Sequence, residues 1–449
     1  MYNRRNFLKQ SGKVGLVGLA IPSIVPASVF GKNAPSNQVN VGMIATGRQA
    51  INVNLKQFLG LENVRVVAVN DVDHWRMQQA ADIINKHYSQ QVESNYDGVK
   101  KYQDYRELLG DPEVDAVMVS SPDHWHVSHG VAAAIAGKHV SMEKALTTSI
   151  NHSQALLDAV NSNHVHHRLD SEFRSQENFS RAVGLVRSGA IGELEKVVVG
   201  VPSPLNGSAV GPQPNLPVPE ELDYDQWLGP AFPAPYTVSR VHARHKYNVR
   251  PGWMRIDDYC NGMITNWGAH VIDIALWGMD KERESPVSVE GTGQFTSGLW
   301  NTIEAFNLNY TFADGTILEY IIDDPYIKFI GADGWIKAGF KKETEASDPE
   351  ILKGKIPQQF QNIQSDKQDF INAIVNDQPT LEPLEVGHNV YRLTNMGLLS
   401  VKLGRKLEWD PQQKVFRNDN AANAMLWRPV REKYLDKPVV DWLNKYAMI

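Results

Sequence analysis

Cysteine is almost absent: Cys260 is the only one in 449 residues. That excludes an intramolecular disulfide framework and any zinc or iron–sulfur site built on CxxC pairs. Basic charge is also scarce. The 45 lysines and arginines are outnumbered by 51 acids, and no basic block is read beyond Lys13, so the signature of a nucleic-acid binder is missing. Long apolar runs are lacking too. Val14–Val25 offers twelve positions interrupted by Pro22, whereas a membrane-spanning helix needs ~20 residues. What remains is ordinary for a globular protein, with 42% apolar and 21% charged residues. At ~100–200 residues per domain, the length suggests two or three domains.

The opening segment, 1–31, holds Arg4, Arg5, Lys9 and Lys13 and no acid, so of the net charge of −6 the remainder carries −10. A basic stretch (RRNFLK), an apolar run and the small residues Ala27, Ser28 and Gly31 follow in the order of a secretory signal. The pattern resembles a twin-arginine export signal, with Asn3 where Ser or Thr usually stands. The expectation is a periplasmic protein that meets the export machinery through residues 1–31 and keeps no stable membrane anchor.

Gln38–Ala45 (QVNVGMIA) reads as a strand, Thr46 to Ala50 as a tight turn, and the stretch to about Leu59 as a helix. Val64–Asn70 reads as a second strand ending at Asp71. Strand, turn, helix, strand and terminal acid describe a right-handed βαβ unit. Backbone N–H groups at the helix start suit a pyrophosphate, and Asp71 suits a ribose 2′-hydroxyl, which favours NAD over NADP. Against G-x-G-x-x-G the turn reads Ala45, Gly47 and Ala50, so Ala45 needs a turn that accepts a Cβ. Arg48 either meets phosphate or faces solvent.

After a surface segment, Tyr88–Lys101, the alternation continues. Tyr105–Leu109, Val127–Ala136 and Ser149–Ser162 read as helices, and Ala116–Ser120, His139–Met142 and Val165–Leu169 as strands. This spacing predicts a doubly wound parallel sheet. Ser121–His126 (SPDHWH) forms the turn at a strand's carboxyl end, where ligands sit in open α/β sheets.

Val41–Gly47 (VGMIATG), Ser120–His126 (SSPDHWH), Met142–Thr147 (MEKALT), Ser171–Ser175 (SEFRS), Trp227–Pro230 (WLGP) and Asn261–Asp273 (NGMITNWGAHVID) form a spaced set. With them the chain resembles the Gfo/Idh/MocA oxidoreductases, the glucose–fructose oxidoreductase/inositol dehydrogenase family, over nearly everything from Gln38 onward. The resemblance implies an α/β plus α+β protein. A Rossmann domain with a doubly wound parallel sheet (38–168) would precede an α+β substrate and oligomerisation domain (169–410) and a C-terminal arm (411–449). The second domain would hold an open, mostly antiparallel sheet, and the family suggests a homo-oligomer, dimer or tetramer. Glu195–Val201, Val287–Thr296, Phe306–Phe312, Ile317–Asp323 and Tyr326–Ile330 are fitting strands, and Ala313-Asp314-Gly315-Thr316 is a hairpin signal. Residues 202–260 read as a loop-rich stretch of the kind that covers a binding site.

Met263–Trp277 reads as one helix carrying Asn266, His270, Asp273 and Trp277 on one face. By family motif His270 matches the catalytic histidine, a base that titrates near neutral pH, and Lys144 a lysine that steadies developing alkoxide. Asn266 stands where the family has aspartate. Cofactor contacts are expected from Ala45, Thr46, Gly47, Arg48, Gln49, Asp71, Ser121, Pro122, His126, Glu143 and Lys144. Substrate contacts are expected from Asp123, His124, Arg174, Tyr247, Trp253, Arg255 and Asp273; aromatic faces and hydrogen-bonding cations suit a sugar ring. His124-x-His126 has no carboxylate at ligand spacing, so no metal is expected. Ala145 replaces the motif proline, and since a cis non-proline peptide costs ~2.5–4 kcal/mol, the expectation is a trans Lys144–Ala145 bond and a displaced Lys144.

These readings converge on an NAD-dependent oxidoreductase moving hydride between a tightly held nicotinamide and a secondary hydroxyl of a sugar or glycoside, with the ring 3-position as candidate. Two alternatives stay open. One is NAD-dependent glycoside hydrolysis through transient oxidation and elimination; the other is a non-catalytic sugar-binding protein.

Overall fold

The computed structural model describes residues 38–203 and 210–447. The expected export segment lies outside them. From Val39 onward the described residues form one compact unit built on two sheets. The strands are β1 (Val39–Ile44), β2 (Val64–Asn70), β3 (Lys100–Tyr102), β4 (Ala116–Val119), β5 (His139–Met142) and β6 (His167–Leu169) in the first sheet. The second holds β7 (Leu194–Val201), β8 (Ser288–Phe295), β9 (Ile303–Thr311), β10 (Ile317–Ile322) and β11 (Tyr326–Gly331), then β12 (Gly334–Gly339), β13 (Glu345–Ala346), β14 (Leu407–Asp410) and β15 (Val415–Phe416).

The first sheet runs β3-β2-β1-β4-β5-β6, all parallel. Its central strands bury nearly every residue, because helices cover both faces. The second sheet runs β13-β12-β11-β7-β10-β9-β8-β14-β15 and is antiparallel except where β10 meets β7. This is the expected pair of architectures, a Rossmann sheet and a mostly antiparallel one.

Some elements differ from the sequence reading. Tyr88–Lys101 is not a plain surface segment: the helix His74–Val92 runs into it and β3 begins at Lys100. Asp73 caps that helix, its carboxylate accepting from Arg76 N at 3.1 Å. The stretch after the first turn holds a π-helical turn, Ala50–Asn54, before the α-helix Leu55–Leu59. The single helix expected over Met263–Trp277 is two, Met263–Asn266 and Gly268–Met279, separated at Trp267. Gly268 is required by close approach: a Cβ there would lie 2.7 Å from Thr394 Cγ2. Thr394 belongs to the helix Leu384–Leu403, which is buried on nearly every side and shows no polar face for periodicity to reveal.

Two buried arginines join the parts. Arg168, in the middle of β6, donates to Asp366 at 2.6 Å, Asp369 at 2.9 Å and Glu382 at 2.7 Å, tying the strand to the helix Asp366–Asn376 and to the chain before the helix Leu384–Leu403. Arg174 grips both oxygens of Asp273 at 2.6 and 2.8 Å, fixing the helix Gly268–Met279. Charges this deep are held only because each is paired and hydrogen-bonded. Replacing Arg168 by alanine should cost ~3–5 kcal/mol in urea unfolding, since three carboxylates lose their shared cation. A loss below ~1 kcal/mol would show that the cluster is solvated rather than buried.

Candidate active site

A cavity of about 610 Å³ opens at the carboxyl ends of β1, β2, β4 and β5. One wall is the turn after β1. Ala45 sits at φ 65°, so the turn does accept a Cβ in the left-handed region. A Cβ built on Gly47 meets nothing within 4 Å, which leaves that peptide open to the cavity. Asp71 receives Thr46 N at 2.7 Å and Thr46 Oγ1 at 2.9 Å on one oxygen, and Asp73 N at 2.9 Å on the other. Burial, then the neighbouring Asp73, pushes Asp71 above the usual carboxylate range. A carboxylate has about four acceptor positions, so one remains for a hydroxyl. The π-helical turn places Asn54 beneath this wall, where its amide donates to Ser120 Oγ and to Glu143, each at 3.0 Å.

Arg48, Lys246 and Arg250 face into the same cavity, and Arg48 Nε is buried without a partner. Arg250 is pushed below its ordinary value by burial, then by Arg48 and Arg255. Three cations beside an open glycine turn fit a diphosphate, and Asp71 fits a ribose; these are the residues that would hold a dinucleotide. Residues 242–250 cross this end as a tied strap. Arg76 donates to Ala243 O at 3.2 Å and Lys246 O at 3.1 Å, His242 pairs with Asp73 at 3.0 Å, and Tyr247 stacks on Trp75 at 5.2 Å.

At the other end Lys144 Nζ donates to Asn266 Oδ1 at 3.0 Å. His270 Nδ1 donates to the Ser171 carbonyl, which leaves Nε2 as the acceptor nitrogen. Burial, then the charge of Lys144, pushes His270 down to about 3. The expected titration near neutrality is therefore corrected: His270 is a neutral acceptor across the physiological range, because desolvation and a nearby cation both oppose its protonation. Glu172 lines the same end at φ 64° and is pushed up to about 8 by burial, then by Glu143, Asp170 and Asp366, so its carboxyl holds a proton at neutral pH. Phe173, stacked on His270 at 4.7 Å, and Phe340 and Trp267 complete the wall.

The structure brings together Ala45, Gly47, Arg48, Gln49, Asp71, Ser121, Pro122, Asp123, Glu143, Lys144, Trp253, Asn266 and His270 around this cavity. Others expected there lie elsewhere. Thr46 is buried behind the turn and serves Asp71. His126 is buried between Ser121 O at 2.7 Å and Ala145 O at 2.6 Å, so both ring nitrogens are engaged and it does not line this cavity. His124 turns to Trp227 O at 3.2 Å and lines a separate cavity. Arg174 and Asp273 neutralise each other in the interior, with the guanidinium over Trp277 at 4.8 Å, so the pair is structural. Tyr247 belongs to the strap, and Arg255 lies over Trp300 at 4.7 Å, outside the main cavity. The Lys144–Ala145 peptide is cis, not trans as expected, and Lys144 is not displaced: it reaches Asn266, while His126 holds the Ala145 carbonyl.

Glu172, Lys246, Arg76 and His242 were not singled out by sequence reasoning. The basic stretch within residues 243–250 (ARHKYNVR) is the signal that marks the strap in an otherwise acidic chain. Glu172 lies within the Ser171–Ser175 motif, but its raised carboxyl follows from burial and then from the carboxylates around it, which no local stretch reveals. No group of His, Cys, Asp and Glu among the described residues could hold a metal.

Comparison with known proteins follows this division. A family model described as the NAD-binding Rossmann fold of an oxidoreductase family matches residues 39–170, and that family's C-terminal alpha/beta domain matches residues 183–436. An uncharacterized oxidoreductase of Bacillus subtilis, YrbE, is 25% identical over 289 residues, 62% of this chain and 80% of that protein. A glycosyl hydrolase family 109 protein of Shewanella sp. (strain ANA-3) is 29% identical over 206 residues, 43% of this chain and 44% of that protein, so the chain spans less than half of that relative. Among solved structures, levoglucosan dehydrogenase in complex with NADH and levoglucosan superposes with a TM-score of 0.58 at 16% identity, covering 83% of this chain and 99% of the other. The WlbA dehydrogenase from Bordetella pertussis, in complex with NADH and UDP-GlcNAcA, gives 0.59 at 15%, covering 83% and 99%. These superpositions show a shared fold.

The arrangement around His270 makes a direct prediction. In ring ¹⁵N spectra at about pH 5, His270 should carry one proton, and Lys144→Met should raise its titration point by removing a like charge. A doubly protonated ring at about pH 5 would contradict the assignment.

Proposed function

The chain belongs to the Gfo/Idh/MocA oxidoreductase family, and from that premise we propose that it transfers hydride between a tightly held NAD and a secondary hydroxyl of a sugar or glycoside, with the ring 3-position as the candidate carbon. The observation that carries this reading is the pairing of a lysine ammonium on Asn266 with a neutral histidine whose Nε2 is an acceptor, at one end of a cavity whose other end is shaped for a dinucleotide. Bound nicotinamide would supply the hydride acceptor and donor. The chain's own work is with the proton. His270 Nε2 is oriented by the Ser171 carbonyl to accept from a substrate hydroxyl, and the Lys144 ammonium stabilises the oxygen as negative charge develops. Asn266 holds that ammonium by its amide oxygen and adds no charge, so His270 stays neutral until the substrate proton arrives. Among relatives of this fold, the complexes with levoglucosan and UDP-GlcNAcA support a carbohydrate substrate.

The strap supports tight retention of the cofactor, because escape of a diphosphate from Arg48, Lys246 and Arg250 requires opening contacts that Arg76, His242 and Tyr247 make. We place the protein in the periplasm on the strength of Arg4, Arg5 and the run Val14–Val25, and as a homo-oligomer on family grounds. One feature favours a second reading, oxidation followed by elimination of an aglycone: Glu172 lines the end of the cavity that holds Lys144 and His270, and burial pushes its carboxyl up to about 8, which suits it to donate a proton to a leaving group.

Three measurements test this. Denaturing the native protein should release about one nicotinamide dinucleotide per chain; none released would sink the retained-cofactor reading. Lys144→Ala and His270→Ala should each slow hydride exchange on bound sugar by ~10²–10⁴-fold. If neither slows it, the catalytic assignment is wrong and a binding protein is left. A stable keto-glycoside as product supports the dehydrogenase, and free monosaccharide without net reduced cofactor supports the hydrolase.

A further inference from the structure

A second cavity of about 210 Å³ adjoins the first. Asn266, Trp267, Phe340, Pro251, Met254 and Arg250 line both, so the wall beside Lys144 and His270 is shared with it. We propose that this side cavity is a subsite for an apolar, ring-sized group attached to the sugar, which makes the substrate a glycoside with an aryl or branched alkyl aglycone rather than a free sugar. The inference rests on the sugar-oxidoreductase reading and narrows its substrate class.

Size and chemistry argue together. An apolar cavity of ~150 Å³ holds benzene, so this one has room for a single six-membered ring and little more. Its surface is built from the indole of Trp267, the ring of Phe340, two methionines (Met254 and Met263) and prolines including Pro251 and Pro325. Trp267 and Phe340 lie edge to face at 5.5 Å, presenting an aromatic corner of the kind that receives another ring. Methionine is the side chain that moulds best to varied apolar groups.

A second sugar fits this lining poorly. Asn266 Oδ1 already receives Lys144, the Arg255 guanidinium lies over Trp300, and Arg250, which also lines this cavity, is shared with the main one, where it sits in the field of Arg48. Thr302 is left with few neighbours of its kind, so most hydroxyls of a pyranose would be buried without partners, which is penalised. An apolar group instead buries its own surface against this lining and anchors the sugar from a point remote from the reacting carbon. Binding energy from such a remote part can hold the hydroxyl at His270.

Phenyl and methyl β-D-glucopyranoside test this on the holoprotein, with phenol as a separate probe of the cavity. The phenyl glucoside should be oxidised with a kcat/KM at least about tenfold above the methyl glucoside, since a buried phenyl ring carries that much or more. Met263→Trp, which fills the cavity from a residue outside the main one, should bring the two within about twofold while the methyl glucoside keeps its rate. Phenol should bind by saturation-transfer NMR and compete with the phenyl but not the methyl glucoside, a readout that holds if Met263→Trp fails to fold. Equal kcat/KM for the two glucosides, or no phenol binding, overturns the subsite. Phenol binding with neither glucoside oxidised would leave the subsite standing and count against the oxidoreductase reading.

Discussion

The structure depends on what is done with the short segment 168–174, which leaves the parallel sheet and enters the second half of the molecule. An arginine stands at each end of it, both fully buried. Arg168 gathers three carboxylates from far along the chain, Asp366, Asp369 and Glu382, and Arg174 clamps Asp273. Between them the backbone has little freedom, and two of its features are used in the site: the Ser171 carbonyl that sets the tautomer of His270, and the left-handed Glu172. Buried ion pairs add little net stability compared with an apolar core, but they punish misplacement heavily, so they specify position. Here the position specified is that of His270 relative to Lys144.

Burial then decides the protonation states. In water a histidine would be the natural neutral-pH base and a glutamate would be ionised. In this cavity the order is reversed, with His270 pushed down to about 3 and Glu172 up to about 8. Desolvation is the first cause in both, and the second has the same origin: like charges crowd each group, Lys144 for the histidine and Glu143 for the glutamate. The cofactor end uses the opposite device. Arg48, Lys246 and Arg250 are gathered on one wall as a cluster of like charge, which suits them to a ligand that carries the opposite charge in with it.

Much of this was legible in the chain. The βαβ pattern through Asp71, the carboxyl-end turns and the residues Lys144, Asn266 and His270 were all read from local periodicity or motif, and the structure gathers them around one cavity. The failures share a cause. His270 and Asp273 do share the helix Gly268–Met279, but Arg174 arrives from elsewhere in the chain and neutralises Asp273. His124 and His126 look like ligands in sequence, yet each is spent on backbone carbonyls that only the folded chain supplies. Propensity argued for a trans peptide at Lys144–Ala145, and the folded chain has it cis.

The sequence by itself determined the parallel sheet and the dinucleotide turn, because these rest on short-range patterns of apolar and turn residues, and its spaced motifs, through their resemblance to a family, implied the second sheet and the residues at the reacting end. Only the tertiary structure decided which polar side chains face the cavity and which are satisfied inside, what protonation His270 and Glu172 adopt, that residues 242–250 strap the cofactor end, and that an apolar side cavity opens beside Asn266. Those properties depend on burial and on partners distant in the chain, as Glu382 is from Arg168, and neither is written in any local stretch of sequence.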